Sequence, residues 1–136
     1  MPVTVDVVYD GDLECTLTHG PSGDQMRTDA PVDNRGRGIH FSPTDLVGAA
    51  MGCCMLTVMG IVARDRGWEM TGATARVVKD MGAEPRRHIA KLTVDITLPA
   101  ALDAKARETL ERTAYTCPVH ASLGSLTQTT LTFHYV

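Results

Sequence analysis

Aromatic residues are scarce in this chain. Phe, Trp and Tyr together make up 4% of its 136 residues, too few for the stacking platforms that hold single-stranded nucleic acids. A basic excess is also lacking: thirteen Lys and Arg against sixteen Asp and Glu leave a formal charge of −3, the wrong sign for neutralising phosphates. No nucleic-acid partner is expected. The start, Met1-Pro2-Val3-Thr4-Val5-Asp6, has no basic stretch leading into an apolar one, so no secretory leader is expected. The four cysteines are then expected as reduced thiols in a cytoplasmic protein. Cys-x-x-Cys, a glycine-rich phosphate loop, His-x-x-x-His and Gly-x-Ser-x-Gly are absent as well, and with them the usual signatures of redox, nucleotide, metal and serine-hydrolase chemistry. No cofactor is implied. What remains is globular material, 43% hydrophobic and 21% charged, enough at this length for one domain over residues 1–136 with its own core.

One segment stands out. Leu46 to Ala63 reads LVGAAMGCCMLTVMGIVA without a charge, which reaches the lower length limit for a membrane span. Three glycines, several alanines and a threonine keep it only modestly hydrophobic, and strand-like polar segments surround it. A helix apolar on every side is equally one buried on every side by protein, so a buried central helix and no membrane partner are expected. Its start is well marked: Ser42 suits the N-cap, Pro43 the first helical position, and Asp45 the third, as in a capping box. Its end is expected near Arg66, with Gly67 as the stop and Arg64 and Arg66 facing the negative end of the helix dipole.

Around that helix the periodicity is mostly that of strands. Val3 to Val8, Leu13 to His19 and Gln25 to Asp29 read as strands, the first two joined by a turn at Tyr9-Asp10-Gly11-Asp12. Ala30 to His40 has no period and is rich in Gly, Arg and Asn, which marks a functional or mobile loop. Met70 to Met81 and His88 to Leu98 are two further strands, the second alternating almost strictly, so one of its faces is buried. Asp103 caps an amphipathic helix from Ala104 to Tyr115, with Ala106, Leu110 and Ala114 facing the core. Cys117-Pro118 opens a short helical segment ending near Gly124, and Leu126 to Tyr135 returns as a strand. This order predicts an α+β fold with antiparallel sheet.

A small antiparallel sheet does not cover a helix that is apolar all round. Gly48, Gly52 and Gly60 share one stripe, and small residues let a second helix approach closely. A homodimer crossing along this stripe is the favoured expectation; the alternative is a strand of the same chain lying against the glycines. Cys15, in a strand, reads as a small half-buried hydrophobe. Cys53 shares its face with Ala49 and Leu56, which suggests packing. Cys54 lies in an apolar wall with Val47, Ala50, Met51, Val58 and Ile61, where a thiol is more often structural than reactive. Cys117 precedes Pro118 and should cap a helix, with His120 three residues on. Such a site lowers a thiol below its usual ~8.5, so two readings stand side by side: a reactive thiolate, or a cysteine capping in place of serine. Zinc held by Cys53, Cys54, Cys117 and His120 is not favoured, because adjacent cysteines on a rigid helix do not readily ligate one metal.

Ser42-Pro43-Thr44-Asp45-Leu46, then Gly52-Cys53-Cys54 deep in the apolar helix, then Tyr115-Thr116-Cys117-Pro118-Val119, resembles the OsmC/Ohr family of osmotically inducible and organic-hydroperoxide-resistance proteins, OsmC-like branch. The family's cysteine stands eleven positions after the helix-starting proline, and Pro43 plus eleven is Cys54; Cys53 occupies a position that is usually small. The resemblance implies an OsmC-like fold, an intertwined homodimer whose antiparallel sheets wrap around long central helices. It also implies a stress-response antioxidant, a two-cysteine thiol peroxidase acting on organic hydroperoxides. Cys54 would be the peroxidatic nucleophile and Cys117 the resolving thiol, and the disulfide they form would be reopened by a dithiol reductant. The apolar wall around Cys54 would then receive the alkyl tail of the substrate. Family members pair an arginine of the early loop with a glutamate directly after the helix-starting proline. Thr44 stands at that glutamate position here, and Arg35 and Arg37 are the arginines in the loop. The alternative is a non-enzymatic dimer of the same fold, sensing redox state or holding an apolar ligand between its helices.

Overall fold

The computed structural model describes residues 1–136 as two compact units, Met1–Leu46 and Val47–Val136. In the first unit, β1 (Val5–Gly11), β2 (Glu14–His19) and β3 (Gln25–Thr28) form an antiparallel sheet in that order. The β1–β2 turn lies at Asp12-Leu13, one step later than the Asp-Gly dipeptide suggests. Gly11, Asp12 and Leu13 all adopt positive φ, so the glycine is spent on a bulge between Tyr9 and Gly11. Register puts Val5, Val7, Tyr9, Cys15, Leu17 and Met26 on one face. Of these, Val5, Val7, Tyr9 and Met26 are exposed, and Cys15 and Leu17 are half-buried. The loop after β3 includes a 3-10 turn over Val32–Asn34.

The helix begins and ends where sequence chemistry places it. Ser42 Oγ accepts from the Asp45 N–H at 3.0 Å, and Asp45 Oδ2 accepts from the Ser42 N–H at 2.9 Å, a reciprocal capping box. Helix α1 (Pro43–Arg66) stops at Gly67, which takes φ +72°, as a left-handed C-terminal cap requires.

In the second unit, β4 (Thr74–Gly82), β5 (His88–Leu98) and β6 (Gln128–Tyr135) form a sheet with β5 in the centre. The β4–β5 pair is antiparallel and the β5–β6 pair is parallel. The α+β class stands, but the second sheet is mixed rather than wholly antiparallel. A parallel pair needs a crossover connection, and here it contains α2 (Ala104–Ala114) and α3 (Pro118–Ser122). Alternation sorts the sheet into two faces. Ala75, Val77, Leu92, Val94, Ile96, Leu131 and Phe133 look inward; Arg76, Asp95, Thr97, Thr132 and His134 look out. Met51, Met55, Met59 and Ala63 of α1 join Leu92, Val94, Ile96, Ala106, Leu110 and Ala114 in one core. Tyr135 clasps α2 to β6: its hydroxyl donates to Glu111 Oε2 at 2.7 Å, and the Arg107 guanidinium lies 4.1 Å from its ring centre. Burial, reinforced by the Glu111 carboxylate, pushes this phenol well above its ordinary range.

The glycine stripe has a different use from the favoured one. A Cβ at Gly48 would lie 3.5 Å from Val77 and Leu92, and one at Gly52 would lie 3.0 Å from Val77 Cγ2, whereas one at Gly60 would meet nothing. Two of the three glycines therefore admit β4 and β5 of the same chain, and the helix–helix reading of the whole stripe is corrected. Only one side of α1 is buried, through Gly48, Met51, Gly52, Met55, Met59 and Ala63. Ala50, Cys53, Thr57 and Ile61 form an exposed stripe opposite, so the expected packing of Cys53 is also corrected. By length and composition α1 is apolar enough to cross a membrane. Gly60→Ala is expected to raise stability by up to ~1 kcal/mol through helix propensity. Gly52→Ala should gain nothing, because Val77 must yield. Urea midpoints compare the two, and an equal gain at Gly52 would contradict the tight strand contact.

Candidate functional site

Cys54 and Cys117 come from elements far apart in sequence and meet in the second unit. Cys54 sits at the margin of the buried stripe of α1, half-buried, with Met51 one turn back inside the core and Ala50 and Thr57 exposed on its other side. Cys117 is the N-cap of α3 and fully buried; its Sγ accepts from the His120 backbone N–H at 3.5 Å. The α2 helix delivers it through a tight turn, in which the Cys117 N–H donates to Ala114 C=O at 3.3 Å. The two thiols lie near enough for the Cys54 side chain to perturb that of Cys117.

The electrostatics of Cys117 decide between its two readings in favour of the capping cysteine. Burial pushes its thiol above the ordinary value, the Cys54 side chain raises it further, and the backbone N–H groups of His120 and Val119 only partly offset this. A capping position alone favours thiolate, but desolvation of a fully enclosed sulfur outweighs it. Cys117 is thus a protonated thiol. The contact His120 makes with it is through the backbone.

The remaining cysteines stand apart from this pair. Cys53 is exposed on the outer stripe of α1, and Cys15 is half-buried in β2. No three His, Cys, Asp or Glu side chains converge as a metal site would need.

Within the first unit, Arg37 is fixed by Glu14, Nη2 to Oε2 at 2.7 Å. Arg27 and His40 also approach the Glu14 carboxylate, at 3.8 and 3.6 Å. The Glu14 side chain is only 12% exposed, so the two guanidiniums and the imidazole gather around a carboxylate with little access to water. Arg35 takes φ +71° and lines a shallow basin with Asp12, Leu13, Gly36 and Arg37. Asp29 is buried: its Oδ2 accepts from the Ile39 N–H at 3.3 Å, while its Oδ1 has no partner. Sequence reading missed Glu14 and Asp29. The charged Glu14 beside Cys15 was the one available signal for the first, and a lone Asp at a strand end gives none for the second.

A model of the OsmC-like protein family matches residues 36–132, a span containing α1, both thiols and most of the second sheet. The chain belongs to the OsmC-like family. Solved structures agree. A protein of Psychrobacter arcticus 273-4 assigned to osmotic stress and detoxification response is 41% identical, with 96% of this chain and 95% of that chain covered at a TM-score of 0.90. The OsmC organic hydroperoxide resistance protein of Legionella pneumophila shares the fold at 13% identity, coverage of 98% and 97%, and a TM-score of 0.77. The organic hydroperoxide resistance protein OhrB of Bacillus subtilis does so at 15% identity, coverage of 98% for both chains, and a TM-score of 0.72. No curated protein matches significantly. The OsmC-like α+β architecture is thereby shown.

Proposed function

We propose that this OsmC-like protein reduces organic hydroperoxides with thiol chemistry, Cys54 acting as the peroxidatic nucleophile and Cys117 as the resolving thiol. One observation carries the reading: a fully buried Cys117 lies near a half-buried Cys54, whose side chain helps hold it protonated. The Cys54 thiolate attacks the outer peroxide oxygen; an S–O bond forms, the O–O bond breaks, and the alkoxide leaves and takes a proton to become an alcohol. Cys54 is now a sulfenic acid. The Cys117 sulfur attacks it, the S–S bond forms, and the thiol proton departs with hydroxide as water. A dithiol reductant then supplies two electrons and two protons to restore both thiols.

The half-buried Val58 one turn from Cys54 gives it an apolar edge, which suits an alkyl substrate better than hydrogen peroxide. The uncovered apolar surfaces within each unit, Val5, Val7 and Tyr9 on one sheet face and Ile61 on α1, support a homodimer as the working form, with residues 1–136 as its single repeated domain.

The test is mass mapping after one equivalent of cumene hydroperoxide. A Cys54–Cys117 bridge is the expected product. Oxidation confined to Cys15 or Cys53, or a Cys53–Cys54 bridge, would exclude the mechanism and leave a binding or sensing dimer.

A further inference from the structure

Three residues other than glycine adopt positive φ in this chain: Asp12 at 53°, Leu13 at 65° and Arg35 at 71°. All three line one basin of about 420 Å³, together with Gly36 and Arg37. Asp tolerates the left-handed region, but a side chain as bulky as Leu is a true outlier there, and glycine would occupy each position at less cost. Such strain persists where the surrounding structure imposes it, and it collects at binding sites. On the β1–β2 turn, the Leu13 N–H donates to the Tyr9 hydroxyl at 3.3 Å. On the loop, the Gly36 N–H donates to Pro31 C=O at 2.9 Å and the Gly38 N–H to Ala30 C=O at 3.3 Å.

The charges around the basin are divided. Arg37 is held by Glu14, Nη2 to Oε2 at 2.7 Å. A guanidinium has five N–H donors, so most of them remain for a ligand. Arg35 and Asp12 are exposed and form no ion pair, with each other or with any other side chain. With Glu14 included, two cations and two anions leave no net charge. A simple anion would gain from Arg35 and be repelled by Asp12, whereas a molecule carrying both signs would satisfy both. Strand alternation puts Glu14 with Thr16 on the face of β2 opposite Cys15 and Leu17, and hence opposite Val5, Val7 and Tyr9. Arg37 is thus anchored on the side away from the apolar face offered to the dimer.

We propose that this basin binds a small zwitterion of the α-amino-acid class. Its carboxylate lies on the Arg35 and Arg37 guanidiniums, in charge-assisted hydrogen bonds. Its ammonium lies on the Asp12 carboxylate, and an apolar side chain rests against Leu13. Both charges are required, which separates this site from a general attraction of anions. No cysteine takes part, so the site works whether the thiols are reduced or joined.

The experiment titrates the isotope-labelled full chain with L-leucine and follows the backbone amide resonances. Saturable shifts are expected at Asp12, Leu13, Arg35 and Gly36. Leucinamide lacks the carboxylate and isocaproate lacks the ammonium, and each should bind at least ~10-fold more weakly, the cost of one lost charge-assisted bond. Arg35→Gly should weaken leucine by a similar factor, and glycine suits the φ of 71° there, so this variant keeps its fold. Asp12→Asn, equally at home in the left-handed region, should weaken leucine while binding isocaproate no worse than the parent. Scattered or unsaturable shifts, equal binding of the three probes, or undiminished leucine affinity in Arg35→Gly would each overturn the site.

Discussion

Cys54→Ser is expected to lower the rate of cumene hydroperoxide reduction by at least ~10³-fold, because an alcohol near neutral pH does not supply the nucleophile that opens the O–O bond. The loss should appear as disappearance of peroxide with dithiothreitol as the electron donor. Cys53→Ser is the matched control. Its thiol is exposed on the outer stripe of α1, so its rate should stay within about twofold of the parent. Cys117→Ser separates the two half-reactions: one equivalent of peroxide is consumed, Cys54 is trapped as sulfenic acid, and no bridge forms. A Cys54→Ser variant with undiminished turnover would place the chemistry elsewhere in the chain.

Leu110→Ala should be the most destabilising of the conservative truncations, by about 2–5 kcal/mol. Leu110 is completely buried on α2 between Ala106 and Ala114. With alanines on either side, the space it leaves has no long side chain on that helix to fill it. Leu126→Ala makes the comparison, since Leu126 is 50% exposed and should cost no more than about 0.5 kcal/mol. Denaturant midpoints at constant slope measure both. A small loss at Leu110 would mean that α2 is not anchored as described, and the turn that delivers Cys117 would lose its support.

The sequence disclosed the long helix most completely, because each of its ends has its own chemistry: the Ser42–Asp45 box at one and Gly67 at the other. Strand β5 was equally plain, its alternation giving both limits correctly. Direction of pairing was not legible. Leu131, Phe133 and Tyr135 announce a one-sided strand, but side-chain alternation is the same in parallel and antiparallel ladders, so β6 gave its face and not its orientation. The glycine stripe was legible as a close approach and ambiguous as to the partner, since a strand bearing Val77 and Ala75 needs the same small residues as a second helix. At the thiols, the motif singled out two cysteines that the structure brings near each other, but it left the acidity of Cys117 open. A local pattern reports the helix terminus and its dipole, whereas desolvation comes from burial in a core cluster that gathers side chains from α1, β5 and α2. Glu14 escaped notice for the same reason: its partners Arg27, Arg37 and His40 arrive from two later segments.

Parallel pairing of β5 with β6 also bears on how the protein is made. The partners Lys91 and Gln128, Leu92 and Thr129, stand across a long stretch of chain. During translation, His88–Leu98 emerges from the ribosomal tunnel well before Gln128–Tyr135, and until then its hydrogen-bonding edge is open beside a row of Leu, Val and Ile side chains. A nascent chain paused between these two strands would be a strong client for chaperones that recognise extended apolar segments.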